Sequence, residues 1–174
     1  MKILVTADIH ANSEWHERLL TESKKHDLLL IAGDVLDMFS QSPEEDQIWD
    51  FLHWIYRLKS QHTILALCSG NHDSAVAPYC GALNDPELRE LYFFDHWLEA
   101  IRDDTCVVSP ENRLLQLKSD EKIVVSSLHW HTEFGMYHQS SILEQGKKLS
   151  SSHQCPWIWL HHEPPNNTRI GEDD

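Results

Sequence analysis

An α/β fold is predicted by three features of the sequence. Short apolar runs alternate with stretches whose apolar residues recur at helical spacing. Of the 174 residues, 41% are hydrophobic and 24% charged, with no biased tract, so the chain carries the material for one packed core. Polar clusters follow the apolar runs directly, where ligands bind at the carboxyl ends of strands in open α/β sheets.

The elements follow in order. KILVTA at 2–7 reads as a strand ending in DIHAN at 8–12, and SEWHERLL at 13–20 as a helix capped by Asn12 or Ser13. DLLLIA at 27–32 is a second strand, ending in GDVLD at 33–37. Pro43, Glu44 and Glu45 open a helix in which Ile48, Phe51, Leu52, Ile55 and Leu58 keep helical spacing. TILALC at 63–68 is a third strand, ending in GNHD at 70–73. Strands joined by helical crossovers should pair in parallel, since parallel pairing needs long connections.

The second half reads differently. A helix is expected over 86–102, then strands at 105–108, 113–118 and 122–128 that look antiparallel, the last two being separated by the turn-like SDE at 119–121. A helix near 139–149 leads to a strand in PWIWLHH at 156–162. The chain ends in IGEDD at 170–174 without a closing element, which reads as a minimal or truncated domain; one domain is expected over 1–174.

Fourteen basic against 28 acidic residues give a formal charge of -14, which disfavours a surface built for nucleic-acid phosphates. An anionic substrate would need a local positive centre, and metal ions held by some of the excess carboxylates would supply it. No run reaches membrane-spanning length, and ILVTA at 3–7 lacks the form of a signal peptide, so a cytoplasmic protein is expected. Cys68, Cys80, Cys106 and Cys155 form no C-x-x-C pair and read as buried free thiols. Trp49, Trp54, Trp157 and Trp159 read as packing groups, and His16, His26, His53, His62, His96, His138 and His153 as surface or satisfied core residues.

Four strand exits carry the chemistry: Asp8 with His10, Asp34 with Asp37, the GNHD turn, and His161 with His162. Together they offer carboxylate, amide oxygen and imidazole, a donor set suited to Mn²⁺, Fe or Zn²⁺. One bridging carboxylate can hold two such ions roughly 3.5–4 Å apart, clamping a phosphoryl oxygen and lowering the pKa of a bridging water. Each block alone is an ordinary turn pair; their order after successive strands is what carries the signal.

The series DIH, GDVLD, GNHD and LHHEPP resembles the blocks of the calcineurin-like metallophosphoesterase family. That resemblance implies a four-layer α/β/β/α sandwich, two mixed sheets flanked by helices. It also implies hydrolysis of a phosphomonoester or phosphodiester with two divalent ions, Mn²⁺ first and Fe or Zn²⁺ as alternatives. It makes Asp8 and His10 ligands of one metal, Asp34 the bridging carboxylate, and Asn71 and His161 ligands of the second. His72 becomes the leaving-group acid or hydrogen-bond donor, with Asp73 orienting it and Asp37 outside the ligand set. His161 is preferred to His162 because the family pattern uses the first histidine, and adjacent strand side chains face opposite ways.

The family's G-H-x-H block does not follow, so the domain is expected to lack that segment, and a catalytically incomplete binding or scaffold module is the competing reading. The H-x-H of His129, Trp130 and His131 stands before the His161 block and reads as a strand exit near the cleft. Substrate identity and oligomeric state are not encoded in any readable motif.

Overall fold

A computed structural model describes residues 1–73, 96–128 and 132–162, with side chains described outside 96, 99 and 132–139. The first half winds as expected. Strand β1 (Ile3–Thr6), helix α1 (Ser13–Ser23), strand β2 (Leu28–Ala32), helix α2 (Glu44–Ser60) and strand β3 (Ile64–Cys68) form two βαβ units in sequence. Asn12 caps α1, its Oδ1 accepting from the backbone of Glu14 at 3.0 Å and Trp15 at 3.2 Å. Three acidic residues, Glu44, Glu45 and Asp46, occupy the first turn of α2, where the helix dipole favours them.

A short 3₁₀ helix (His96–Ile101) leads to β4 (Cys106–Val108), and the first sheet runs β1-β2-β3-β4 with every pair parallel. This corrects the antiparallel expectation for 105–108: pairing Leu65 with Cys106 and Leu67 with Val108 continues the buried parallel sheet on its far edge. Strands β5 (Glu111–Gln116), β6 (Lys122–Ser127) and β7 (Trp157–Leu160) form a second, mixed sheet, β5 antiparallel to β6 and β7 parallel to it. The parallel step from β6 to β7 is made by helix α3 (Thr132–His153), which is longer than the 139–149 read from the sequence. The expected helix over 86–102 reaches the described residues only as the 3₁₀ turn, its remainder and the 129–131 segment lying outside them.

Side-chain alternation builds the layers. Leu29, Ile31, Leu65, Leu67, Cys106 and Val108 face Leu19, Leu20, Phe51, Trp54, Ile55 and Leu58 of the helices. Leu28, Leu30, Ala66, Cys68 and Val107 face the other way, against Leu115, Ile123, Val125 and Leu160 of the second sheet. Helix α3 packs on β5, β6 and β7. It covers the outer face of that sheet, for a Cβ at its Gly146 would overlap Ser126 Oγ. The result is the α/β/β/α sandwich the resemblance implied. Trp54 packs in the core, whereas Trp49 and Trp159 are mostly exposed, against the packing expectation for both. Cys68 and Cys106 are buried, Cys155 is half-buried, and Cys80 lies outside the described residues. Among the described residues no helix is long and apolar enough to cross a membrane.

One histidine read as unremarkable sits inside. His16 stacks on Trp54 with ring centroids 4.5 Å apart, and its Nε2 is buried without a partner among the described residues. Burial pushes its pKa down to about 4, so the folded state holds it neutral while the unfolded chain takes up a proton below the ordinary 6.5. The stability this withholds is intact above pH 6.5 and lost as pH falls toward 4. Urea unfolding should therefore show wild type losing about 2 kcal/mol more than His16→Phe between pH 7.5 and pH 4.5. Equal losses in the two proteins would remove His16 as the cause.

Candidate metal centre

The parallel register brings three strand exits to one edge. Thr6 pairs with Ile31 and Ala32 with Cys68, so DIH, GDVLD and GNHD leave the sheet side by side. Main-chain bonds then lock the first two loops together: Asp8 N donates to Gly33 O at 3.2 Å, His10 N to Asp34 O at 3.0 Å, and Ala11 N to Val35 O at 2.8 Å. Asp8, His10, Ala11 and Asp34 all adopt positive φ, between 48° and 52°, a region costly for non-glycine residues. Local preference would not place them there; the cross-loop bonds do.

The two turn glycines permit this closeness. Gly33 has φ 76°, and a Cβ on it would lie 2.6 Å from His162 Nδ1 and 2.8 Å from the Gly70 backbone. A Cβ at Gly70 would overlap the Asp34 carboxylate and its backbone nitrogen. Gly70→Ala must therefore push the two turns apart, and chemical denaturation should show a loss of about 3 kcal/mol. A loss under about 0.5 kcal/mol would mean the turns are not in contact.

Asp34 sits at the centre, only 4% exposed. Its Oδ1 accepts from His72 N at 2.9 Å, and its Oδ2 lies 3.4 Å from His162 Nε2 and 3.9 Å from His72 Nε2. Ligand atoms of Asp8, Asp34 and His162 all lie within 4.8 Å of one another, as do those of His10, Asp37 and His72. The His10 and His72 rings meet edge to face at 4.6 Å. Of the sequence-predicted ligands, the structure brings Asp8, Asp34 and Asn71 together around His162, with His10 in the adjoining group.

His161 is the exception. Ile158 and Leu160 face the first sheet and Trp159 faces solvent, so two residues beyond Leu160 the inward position falls to His162. His162 takes the place expected of His161, and Asp37 joins a donor group from which the sequence reading left it out. The parity of Ile158 and Leu160 gives the first of these only once the inward face of the strand is known, because Trp157 and Trp159 make the other face equally apolar in the sequence. Asp37 carried no signal, because its approach to His10 and His72 depends on how two loops fold over each other.

Asp73 also differs from its expected duty. Its Oδ1 accepts from Val35 N at 2.9 Å and Leu36 N at 3.0 Å, and its Oδ2 from Gly70 N at 2.8 Å. It ties the GDVLD loop to the GNHD turn and is not hydrogen-bonded to the His72 ring in any described contact. Burial, with the Asp34 charge adding to it, pushes its carboxyl up to about 7 against the pull of those three N–H groups.

The His72 ring is oriented by backbone instead. Met38 N donates to His72 Nδ1 at 3.2 Å; an N–H can only donate, so in the neutral ring the proton resides on Nε2. For His162 the reverse holds. Its Nδ1 lies 2.8 Å from the carbonyl oxygen of Ala32, so Nδ1 carries the proton and the Nε2 lone pair is left facing Asn71 Oδ1 at 3.1 Å and Asp34 Oδ2 at 3.4 Å. Three lone-pair-bearing atoms aimed at one another repel unless a cation, a proton or a metal ion, sits on Nε2. His10 Nδ1 is likewise buried without a hydrogen-bond partner among the described residues. Carboxylate, amide oxygen and imidazole gathered at these distances fit a divalent metal ion.

Comparison with known proteins bears on the whole chain. The family profile described as calcineurin-like phosphoesterase matches residues 1–173. Among solved structures, TT1561 of Thermus thermophilus is similar in fold, with a TM-score of 0.61 at 14% identity over 98% of this chain and 71% of that one. Yfce, a phosphoesterase from E. coli, aligns at 20% identity over 75% of this chain and 58% of that one, with a TM-score of 0.32. No curated protein matches the sequence.

Proposed function

The chain belongs to the calcineurin-like phosphoesterase family, whose members hydrolyse phosphoesters with divalent metal ions, and from that premise we propose that this chain hydrolyses a phosphomonoester or phosphodiester at the Asp34 centre. The observation that carries the proposal is the His162 lone pair held toward Asn71 Oδ1 and Asp34 Oδ2 by the bond from Nδ1 to Ala32. Asp8, His10, Asp34, Asn71 and His162 would hold two divalent ions, Mn²⁺ ahead of Fe or Zn²⁺. Such ions, when bound, offset phosphoryl charge and make water a competent nucleophile near neutral pH.

The chain's own groups do the rest. His72, with its proton directed to Nε2 by the Met38 amide, donates a hydrogen bond from Nε2 to the departing oxygen and steadies the charge that develops there, while solvent supplies the proton that the product alcohol takes up. Asp73 holds the GDVLD and GNHD loops at fixed separation through three main-chain bonds, so His72 and Asp34 keep their relation during turnover. Asp37 Oδ1 accepts from Phe39 N at 2.9 Å, which keeps the loop that carries the Met38 amide in place.

The test is hydrolysis of p-nitrophenyl phosphate and bis-p-nitrophenyl phosphate by the Mn²⁺-loaded protein, abolished by chelator and restored by metal. Tight metal binding with no turnover on either ester would favour the binding-module reading. His72→Ala should lower kcat by about 10²- to 10³-fold with KM and metal content little changed. A variant retaining full kcat would take His72 out of the reaction.

A further inference from the structure

The loop after Asp37 leaves an exposed aromatic ring against the ring of His72. Phe39 is 82% exposed, more than any other large hydrophobic side chain described. It is nevertheless held in place, its own N–H bonded to Asp37 Oδ1 at 2.9 Å, Met38 N to His72 Nδ1 at 3.2 Å, and Ser40 N to Asp37 O at 3.1 Å. Its ring meets the His72 ring at 5.4 Å and 80°. A phenylalanine this exposed forgoes most of its burial energy, and here it is anchored beside a site histidine.

We propose that Phe39 determines specificity by stacking against a planar aromatic group carried on the leaving-group oxygen of the phosphoester. The proposal rests on the reading of His72 as the leaving-group donor: whatever the departing oxygen bears must emerge next to the His72 ring, and Phe39 stands there. The cations of Lys25, Arg57, Lys59 and Arg113 are paired with Glu22, Glu17, Asp103 and Glu111. Among the described residues Phe39 offers the leaving group a ring contact, which tolerates any flat π-face, nucleobase or phenyl.

Matched ligand pairs isolate the ring from the chemistry of the ester. Adenosine 5′-monophosphate and ribose 5-phosphate share their 5′ alcohol, and 2-phenylethyl phosphate and butyl phosphate are both esters of primary alcohols. Binding of each to the Mn²⁺-loaded protein is measured by calorimetry, and kcat/KM for each one turned over. The ring-bearing member of a pair should bind about tenfold tighter to wild type, less than about twofold tighter to Phe39→Ala, and as in wild type to Phe39→Tyr. A preference confined to the nucleotide pair identifies a nucleobase; one seen in both pairs identifies aromatic groups generally. No binding, no ring preference in wild type, or a preference that survives Phe39→Ala overturns the proposal. A preference lost in Phe39→Ala without turnover of any ester keeps the platform and removes the hydrolytic reading.

Discussion

Asp34→Asn is expected to lower kcat/KM for a phosphoester by about 10³-fold or more and to reduce bound divalent metal, while leaving the fold intact. The replacement keeps an acceptor oxygen where Oδ1 receives the His72 N–H, so the turn survives. At the Oδ2 position it substitutes a neutral amide for the charged oxygen that faces His162 and His72. A separate stability effect runs the other way. The Asp34 charge raises the buried Asp73 carboxyl, so removing it relieves repulsion, and the metal-free variant should melt at or above the wild-type temperature. Added Mn²⁺ should raise Tm in wild type by ligand linkage and leave the variant nearly unmoved. Equal metal content and equal Mn²⁺ shifts in the two proteins would sink the central role of Asp34.

The second large effect separates two neighbours. His162→Gln should weaken metal binding by about 100-fold and depress turnover with it, while His161→Gln changes either quantity by less than about threefold. The asymmetry follows from the bond between His162 Nδ1 and Ala32 O, which fixes the ring and aims Nε2 at Asn71 and Asp34. Metal titration of both variants, followed by calorimetry, is the measurement. A larger loss in His161→Gln would return the ligand role to the residue the sequence favoured.

That pair shows where reading the sequence stopped. Three apolar runs each ending in a polar cluster were enough to place Asp8, His10, Asp34 and Asn71 at strand exits, because strand alternation and turn chemistry are local. The choice between His161 and His162 needed the face of β7 that meets the first sheet, and that face is set by Ile158 and Leu160 packing against strands far away in the chain. The parallel pairing of β4 was hidden for the same reason: a three-residue apolar strand accepts either direction, and only its place beside β3 decides.

By itself the sequence determined the α/β alternation, the start of the first helix at Asn12 or Ser13 and of the second after Pro43, and the order of the donor blocks, all consequences of short-range spacing. Tertiary structure alone decided that Asp73 ties two loops instead of steadying His72, that a backbone amide sets the His72 proton, and that the Phe39 ring meets that of His72. Each of these is a contact between the GDVLD and GNHD loops. Such contacts exist only once parallel register has brought the loops side by side, and no pattern within either loop encodes the distance between them.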